Sequence, residues 1–347
     1  MKRQTRNVLL LTVISAAVLC IMIAHDGAKT LLDALASVRP IWLLAVAGMM
    51  AVYWLLESQI LHLVVRKFHH RQTFLATLQT SMIGQFFNCI TPFASGGQPV
   101  QAYHLMRCGV PLGSASCALM VKFIVYQSVL TLYSLVALVL RFGMFRTQVT
   151  SLGLLVLVGF GVNAAVIAGL LSLCFFPHWT ERFLHGCIGV LARLRLVKDP
   201  EASRAKVQTE LAGFYEGFAA MRSHMGLIVQ MSLLTVIQLT AFFLIPWALY
   251  RSFGLAGAPA FSILAVASFV LNLTSFVPLP GAAGGAELGF HLLFAMFFPA
   301  KLLAASIILW RAATFYLPIC MGLLVTATSA VGNGDKPADK SCKLPAA

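Results

Sequence analysis

Six apolar runs recur along the chain, at residues 8–24, 41–65, 114–140, 152–176, 227–250 and 302–328. Each approaches the roughly 20 residues with which an α-helix crosses a bilayer. Backbone N–H and C=O groups left open in lipid are too costly, so runs of this kind fold as helices. Two further apolar stretches, 74–90 and 261–277, end in Pro/Gly-rich sequence. Only 10% of the 347 residues are charged, against about 25% in a soluble domain. The expectation is an all-α, polytopic integral membrane protein with one membrane domain over residues 1–330. A short tail, 331–347, is expected to be disordered and cytoplasmic.

The formal charge of +14 could suggest nucleic acid, but its placement points elsewhere. Basic residues cluster at 2–6, 66–71, 182–222 and in the tail, which is a positive-inside pattern that fixes orientation. No nucleic-acid partner is expected. Eight cysteines lie scattered, mostly in apolar runs and without a CxxC pair, so they read as small core residues. Lys2, Arg3 and Arg6 precede the first run without a clean small-x-small cleavage site, which favours an uncleaved first helix.

Topology follows from the charges. With a cytoplasmic amino terminus, the second span returns to the basic 66–71 loop. If 74–90 then crossed fully, the most basic segment would fall outside. A chain that turns back near 91–99 and re-emerges at Arg107 keeps it inside. The same reasoning makes 261–277 and the 278–287 break a second re-entrant hairpin, entering from the opposite face. The expected architecture is about six full spans plus two re-entrant broken hairpins in an inverted repeat, with both termini cytoplasmic. Residues 177–225 form the linker between the halves. Phe183, Leu184, Ile188, Leu191 and Leu194 alternate there with Arg182, Arg193 and Arg195, as in a basic amphipathic helix on the membrane surface.

The two breaks hold the chemistry. In residues 84–99, two prolines and the Gly96–Gly97 pair must end a helix. Freed backbone groups then lie at membrane depth beside Asn88, Thr91, Ser95 and Gln98. Gly96 and Gly97 permit close approach, and successive N–H groups there can cradle an anion. A simple kink with mutually satisfied polar groups is the alternative. In residues 276–287, Gly284 and Gly285 open a returning helix with Glu287 in its first turn. That acid either serves the helix dipole or is a buried acid that pairs with a cation or carries a proton.

Charges inside spans complete the pattern. Arg311 lies about nine residues into the last run, roughly 14 Å deep at about 1.5 Å per residue. Lys122 is similarly deep, with Tyr126 and Gln127 a turn onward, and Glu57 and His62 interrupt the second span. Each charge at the bilayer centre costs about 2.5–3.5 kcal/mol and needs a partner or water. Two outcomes stay open: static neutralisation in pairs, such as Glu287 with Arg311, and capture of a phosphate headgroup by Arg311 and Lys122. His291 and His104 read as structural or interfacial. No P-loop, GxGxxG, HExxH or GxSxG motif is present, so no nucleotide-driven pumping by this chain is expected.

Phe86-Phe87-Asn88, Thr91-Pro92-Phe93 and Ser95-Gly96-Gly97-Gln98-Pro99, followed by Arg107 and Gly109-Val110, resemble a signature of the lysylphosphatidylglycerol synthase transmembrane-region, or flippase-like, family. Pro278-Leu279-Pro280-Gly281, Gly284, Glu287, Arg311, Tyr316 and Pro318 resemble its second half; the 282–285 glycine run departs slightly. The resemblance covers roughly residues 5–330. It implies the flippase part of a bifunctional enzyme, without the synthase domain that makes the aminoacylated lipid.

The resulting expectation is a lipid flippase of the bacterial plasma membrane. It would move an anionic or aminoacylated phospholipid, or a lipid-linked sugar, through a midplane polar cavity. Candidate substrate-binding residues are Asn88, Thr91, Ser95, Gly96, Gly97, Gln98, Gln101, Lys122, Tyr126, Gly284, Gly285 and Arg311. Glu287 and Glu57 are candidates for gating or proton coupling. No catalytic residue, metal or cofactor is expected. The partners are membrane lipids and a possible separate lipid-synthesis enzyme, with oligomeric state open. A membrane-embedded lipid transferase and a scaffold for such an enzyme are the competing readings.

Overall fold

The computed structural model describes residues 28–193, 200–274 and 277–328. The expected first span, the 331–347 tail, and Phe276 of the second break lie outside these residues. Everything regular among the described residues is helical. Four helices or helix pairs are long and apolar enough to cross a membrane: Pro40–Phe68, Leu112–Leu140, Met225–Ser252 and Ala300–Thr328. A fifth candidate, Gly159–Phe175, runs into the next helix through a 95° bend.

In chain order, α1 is Ala28–Ala36 and α2 is Pro40–Phe68, opened by a proline at its first turn. α3 (Phe74–Ile90) begins at Thr73, whose hydroxyl accepts from the Ala76 N–H at 3.2 Å, a side-chain cap of the expected kind. A 3₁₀ turn, Pro92–Ala94, separates it from α4 (Gly97–Arg107). α5 (Leu112–Leu140) and α6 (Phe142–Phe175) follow. The linker contains two helices, α7 (Pro177–Arg193) and α8 (Pro200–Arg222), where the sequence singled out one amphipathic segment. Trp179 and Phe183 on α7 are exposed.

The second half contains a break of the same kind. α9 (Met225–Phe243) and α10 (Ile245–Ser252) lead to α11 (Ala260–Thr274), a second 3₁₀ turn at Pro280–Ala282, and α12 (Gly285–Phe294). α13 (Ala300–Arg311) joins α14 (Leu317–Thr328) through a π turn, Ala312–Tyr316. The backbone angles of the two breaks match at their start and diverge from Ser95 (φ −80°, ψ −15°) and Ala283 (φ −57°, ψ 140°) onward. Thr91 (φ −115°, ψ 144°) precedes Pro92 as Leu279 (φ −110°, ψ 147°) precedes Pro280. Two left-handed residues follow in each, Phe93 and Ala94 at +54° and +50°, Gly281 and Ala282 at +59° and +52°. The helices beyond start alike, after Pro111 (φ −56°, ψ 145°) and Pro299 (φ −55°, ψ 144°).

The two 3₁₀ turns pack on each other, and the second also touches α3. α3 lies along α2 on one side and α14 on the other, while α9 and α5 complete the bundle around α2. The distribution of side chains is inverted relative to a soluble protein. Leu44, Leu55, Leu132, Val139, Leu233 and Leu324 face outward, whereas Glu57, Lys122, Asn163, Gln238, Asn272 and Arg311 are buried. Lipid solvates the first set, and the second must be satisfied by the protein. An aromatic block fixes the second half. Phe290 stacks on Phe294 at 4.1 Å between ring centroids, with Trp310 of α13 against it at 4.9 Å; such pairs contribute about 0.5–1.5 kcal/mol each beyond area.

Helix α14 reaches α3 because residue 322 is glycine. A Cβ there would sit 2.6 Å from Phe86 Cβ and 2.8 Å from the Met82 carbonyl oxygen. Gly322→Leu is therefore predicted to lower the free energy of unfolding by about 1–3 kcal/mol through overpacking. Gly48→Leu, at an exposed position with nothing within 4 Å, should leave it unchanged or raise it. Thermal unfolding of the two variants in detergent distinguishes them, and equal loss in both would refute this account of the α3–α14 contact.

Candidate functional site

The second break is closed by one arginine. Glu287, in the first turn of α12, accepts from the Gly284 N–H through Oε2 at 2.7 Å. Its Oε1 accepts from Arg311 Nε at 2.6 Å, and Arg311 Nη1 donates to the Gly281 carbonyl at 3.1 Å. The guanidinium also lies 4.9 Å from the Phe315 ring centroid. Close approach of the same ring requires glycine at 281, where a Cβ would fall 1.9 Å from Phe315. The static pairing of Glu287 with Arg311, one of the two outcomes left open by the sequence, is present.

Arg311 is only 7% exposed, and its Nη2 is buried without a hydrogen-bond partner among the described residues. Guanidinium offers five N–H donors in a plane. Leaving buried donors unmet costs about 1–3 kcal/mol, more where charge is involved. An anion that reached Nη2 would recover that cost. Cys89, in the last turn of α3, lies within electrostatic range of Arg311, so the cation sits near the negative end of a helix as well.

The first break is held by side chains predicted to face a substrate. Asn88 Oδ1 accepts from the Gly97 N–H at 3.0 Å. Thr91 Oγ accepts from the Gly96 N–H at 2.9 Å and donates to the Phe87 carbonyl at 2.6 Å. Ser95, which is exposed, donates to the Pro92 carbonyl at 2.9 Å. The kink is thus self-satisfied in this conformation. Gly97 allows it, since a Cβ would sit 2.1 Å from Asn88 Oδ1. Gln101 is buried against Gly84, Gln98 is half-buried, and on the other break Gly284 is exposed and Gly285 half-buried against Val277.

Lys122 belongs to a different cluster from Arg311. Its Nζ donates to Glu57 Oε1, and Gln238 Nε2 donates to Glu57 Oε2 at 2.8 Å. Glu57, Lys122 and Gln238 are all buried. Tyr53 and Tyr126 interact with each other and with Glu57, and Gln85 of α3 interacts with Tyr53. Gln85 and Cys89 are four residues apart on α3 and share a face.

A third polar chain was not singled out in the sequence. Gln127 Nε2 donates to Asn163 Oδ1, and Asn163 Nδ2 donates to Asn272 Oδ1 at 2.8 Å. It ties α5, α6 and α11 together. The signal was available, since each is an amide embedded in an apolar run. His104 is fully buried on Thr80 at 2.8 Å, and His62 meets Thr77 at 3.1 Å, so both act structurally. Cys108, expected as a small core thiol, is disulfide-bonded.

A buried ion pair stranded by removal of one partner is costly. Lys122→Met is predicted to destabilise by about 3–5 kcal/mol, and Glu57→Gln/Lys122→Met together to recover most of it. Unfolding of the two variants in detergent checks this coupling; additive losses would mean the pair does not act as a unit.

Comparison with known proteins comes to the same region of the chain. The family model described as "Lysylphosphatidylglycerol synthase TM region" matches residues 8–322, which includes both breaks and both ion pairs. A "UPF0104 membrane protein" of Archaeoglobus fulgidus is 26% identical over 303 residues, covering 82% of this chain and 86% of that protein.

Proposed function

The chain belongs to the lysylphosphatidylglycerol synthase TM region family, and on that premise we propose that it moves a polar-headgroup lipid between bilayer leaflets. The cargo class is an anionic or aminoacylated phospholipid, or a lipid-linked sugar. One observation carries the reading: the buried guanidinium of Arg311 has unmet donors at Nη2 where the broken helices meet. A phosphate is planar-fork chemistry for arginine, and bidentate pairing is strong and directional.

A proline-led 3₁₀ turn at each break supports a repeated unit, which we read as an inverted repeat with hairpins entering from opposite faces. In the closed conformation, Asn88 and Thr91 occupy the N–H groups of Gly97 and Gly96. Parting of the two 3₁₀ turns exposes those N–H groups and Arg311 together. The headgroup then docks on them while its tails stay in lipid, and Glu287 is displaced from Arg311 as the gate. Rocking of one half against the other presents the site to each leaflet in turn. Bacterial plasma membrane, cytoplasmic termini, a basic α7–α8 linker on the inner leaflet and a separate lipid-synthesis enzyme as partner complete the proposal.

The test is leaflet exchange in liposomes carrying the purified protein and a panel of headgroup-labelled lipids. One charge-assisted contact is worth about 1.5–3 kcal/mol, so Arg311→Ala should slow exchange of the preferred lipid roughly 10- to 100-fold. Glu287→Gln should slow it too. Exchange that is unaffected by Arg311→Ala in folded protein overturns the assignment, and a wild-type protein that moves no lipid overturns the function.

A further inference from the structure

We propose that Glu57 binds one proton for each anionic headgroup carried, with Lys122 passing from the carboxylate to the lipid phosphate. This rests on the lipid-moving reading above and adds what drives it.

The Glu57 site is built for two protonation states. As a carboxylate, Glu57 is held by Lys122 Nζ on one oxygen and by Gln238 Nε2 on the other. Gln238 Oε1 is buried and has no partner among the described residues. Rotating that amide by half a turn exchanges its oxygen and nitrogen. The oxygen then accepts from the O–H of a protonated Glu57, so one rotation of Gln238 gives the added proton an acceptor.

The charge arithmetic sets the stoichiometry. Carboxylate plus ammonium is neutral. When a proton adds to Glu57, the carboxylate becomes a neutral acid, Lys122 keeps its own proton, and the site carries one positive charge. An uncompensated buried charge is strongly disfavoured. One phosphate negative charge restores neutrality, so proton and headgroup occupy the protein together and leave together. On release, the proton goes to water and the carboxylate pairs with Lys122 again. A tether between α2 and α5 needs no such pair, since apolar replacements of a buried ion pair are often as stable.

The surrounding groups fit this role. Glu57 is faced by Tyr53 of its own helix, Lys122 and Tyr126 of α5, Gln238 of α9 and, through Tyr53, Gln85 of α3. Of the other elements packed on α2, α10 brings Arg251, which lies over Trp42 fifteen residues away along α2, and the π turn brings the exposed Tyr316. Lys122 is thus the cation at hand for the headgroup. α3, which carries Gln85, also packs on the 3₁₀ turn whose Gly281 carbonyl Arg311 binds.

Two readouts decide the proposal. Infrared difference spectra of wild type against Glu57→Gln, at one fixed pH, isolate the protonated-carboxyl band of Glu57. That band should be larger in phosphatidylglycerol vesicles than in phosphatidylcholine vesicles, because binding of anion and proton is reciprocal. Phosphatidylglycerol exchange by wild type should rise on acidification, by up to about tenfold per pH unit for a one-proton step. Exchange by Glu57→Gln should be indifferent to pH. Equal bands in the two lipids, or a wild-type pH dependence surviving in Glu57→Gln, would overturn it. If wild type moves no lipid at all, the lipid-moving reading falls, and the band comparison still decides the proton site. Should Glu57→Gln fold poorly, Glu57→Gln/Lys122→Met removes both charges and is expected to show neither lipid-dependent band nor pH dependence.

Discussion

The bond between Arg311 and Glu287 organises the second half of the molecule. A full charge far from water must be neutralised by its neighbours, and here one arginine takes up the Glu287 carboxylate and the Gly281 carbonyl at once. That pair of contacts closes a break which would otherwise leave backbone groups open inside the membrane. Phe315 beneath the guanidinium and the Phe290–Phe294–Trp310 block behind it hold α12 and α13 in the one arrangement that brings residues 287 and 311 together. The first break depends on neutral groups instead, Asn88 and Thr91, and packs directly on the second.

Among the buried polar atoms that lack a partner in the described residues, two lie beside the ion pairs. Arg311 Nη2 and Gln238 Oε1 are both buried and both lack partners among the described residues. They are of opposite kind, one donor on a cation and one acceptor beside an acid. An anion suits the first and a proton suits the second. The same helix, α3, touches both surroundings through Gln85 and Cys89. The proposed headgroup site and the proposed proton site thus both border α3.

Much of this was legible in the sequence, for definite physical reasons. Helix positions follow from apolar runs of bilayer length, and α3 occupies the 74–90 stretch because Thr73 caps it and Pro92 ends it. The breaks were legible because Pro and Gly leave few alternatives. Partnership was less so. The sequence left two outcomes for Lys122 and Arg311, neutralisation in pairs or capture of one headgroup, and they are paired separately with Glu57 and Glu287. Which charges meet depends on how α2 lies against α5 and α9, and apolar periodicity is nearly uniform around such helices. For the amide chain Gln127–Asn163–Asn272 each residue stands out in its apolar run, but three neutral residues on three helices reveal their contact only once those helices are packed.

The central claim is that lipid moves only when the two breaks part. One cysteine placed in each, at Ala94 and Ala282, in a background freed of the eight native cysteines, can be joined by a short cleavable thiol reagent. Lipid exchange in liposomes should stop when the breaks are joined and resume when the reagent is cleaved. Exchange that continues at the same rate through the joined protein would contradict the account.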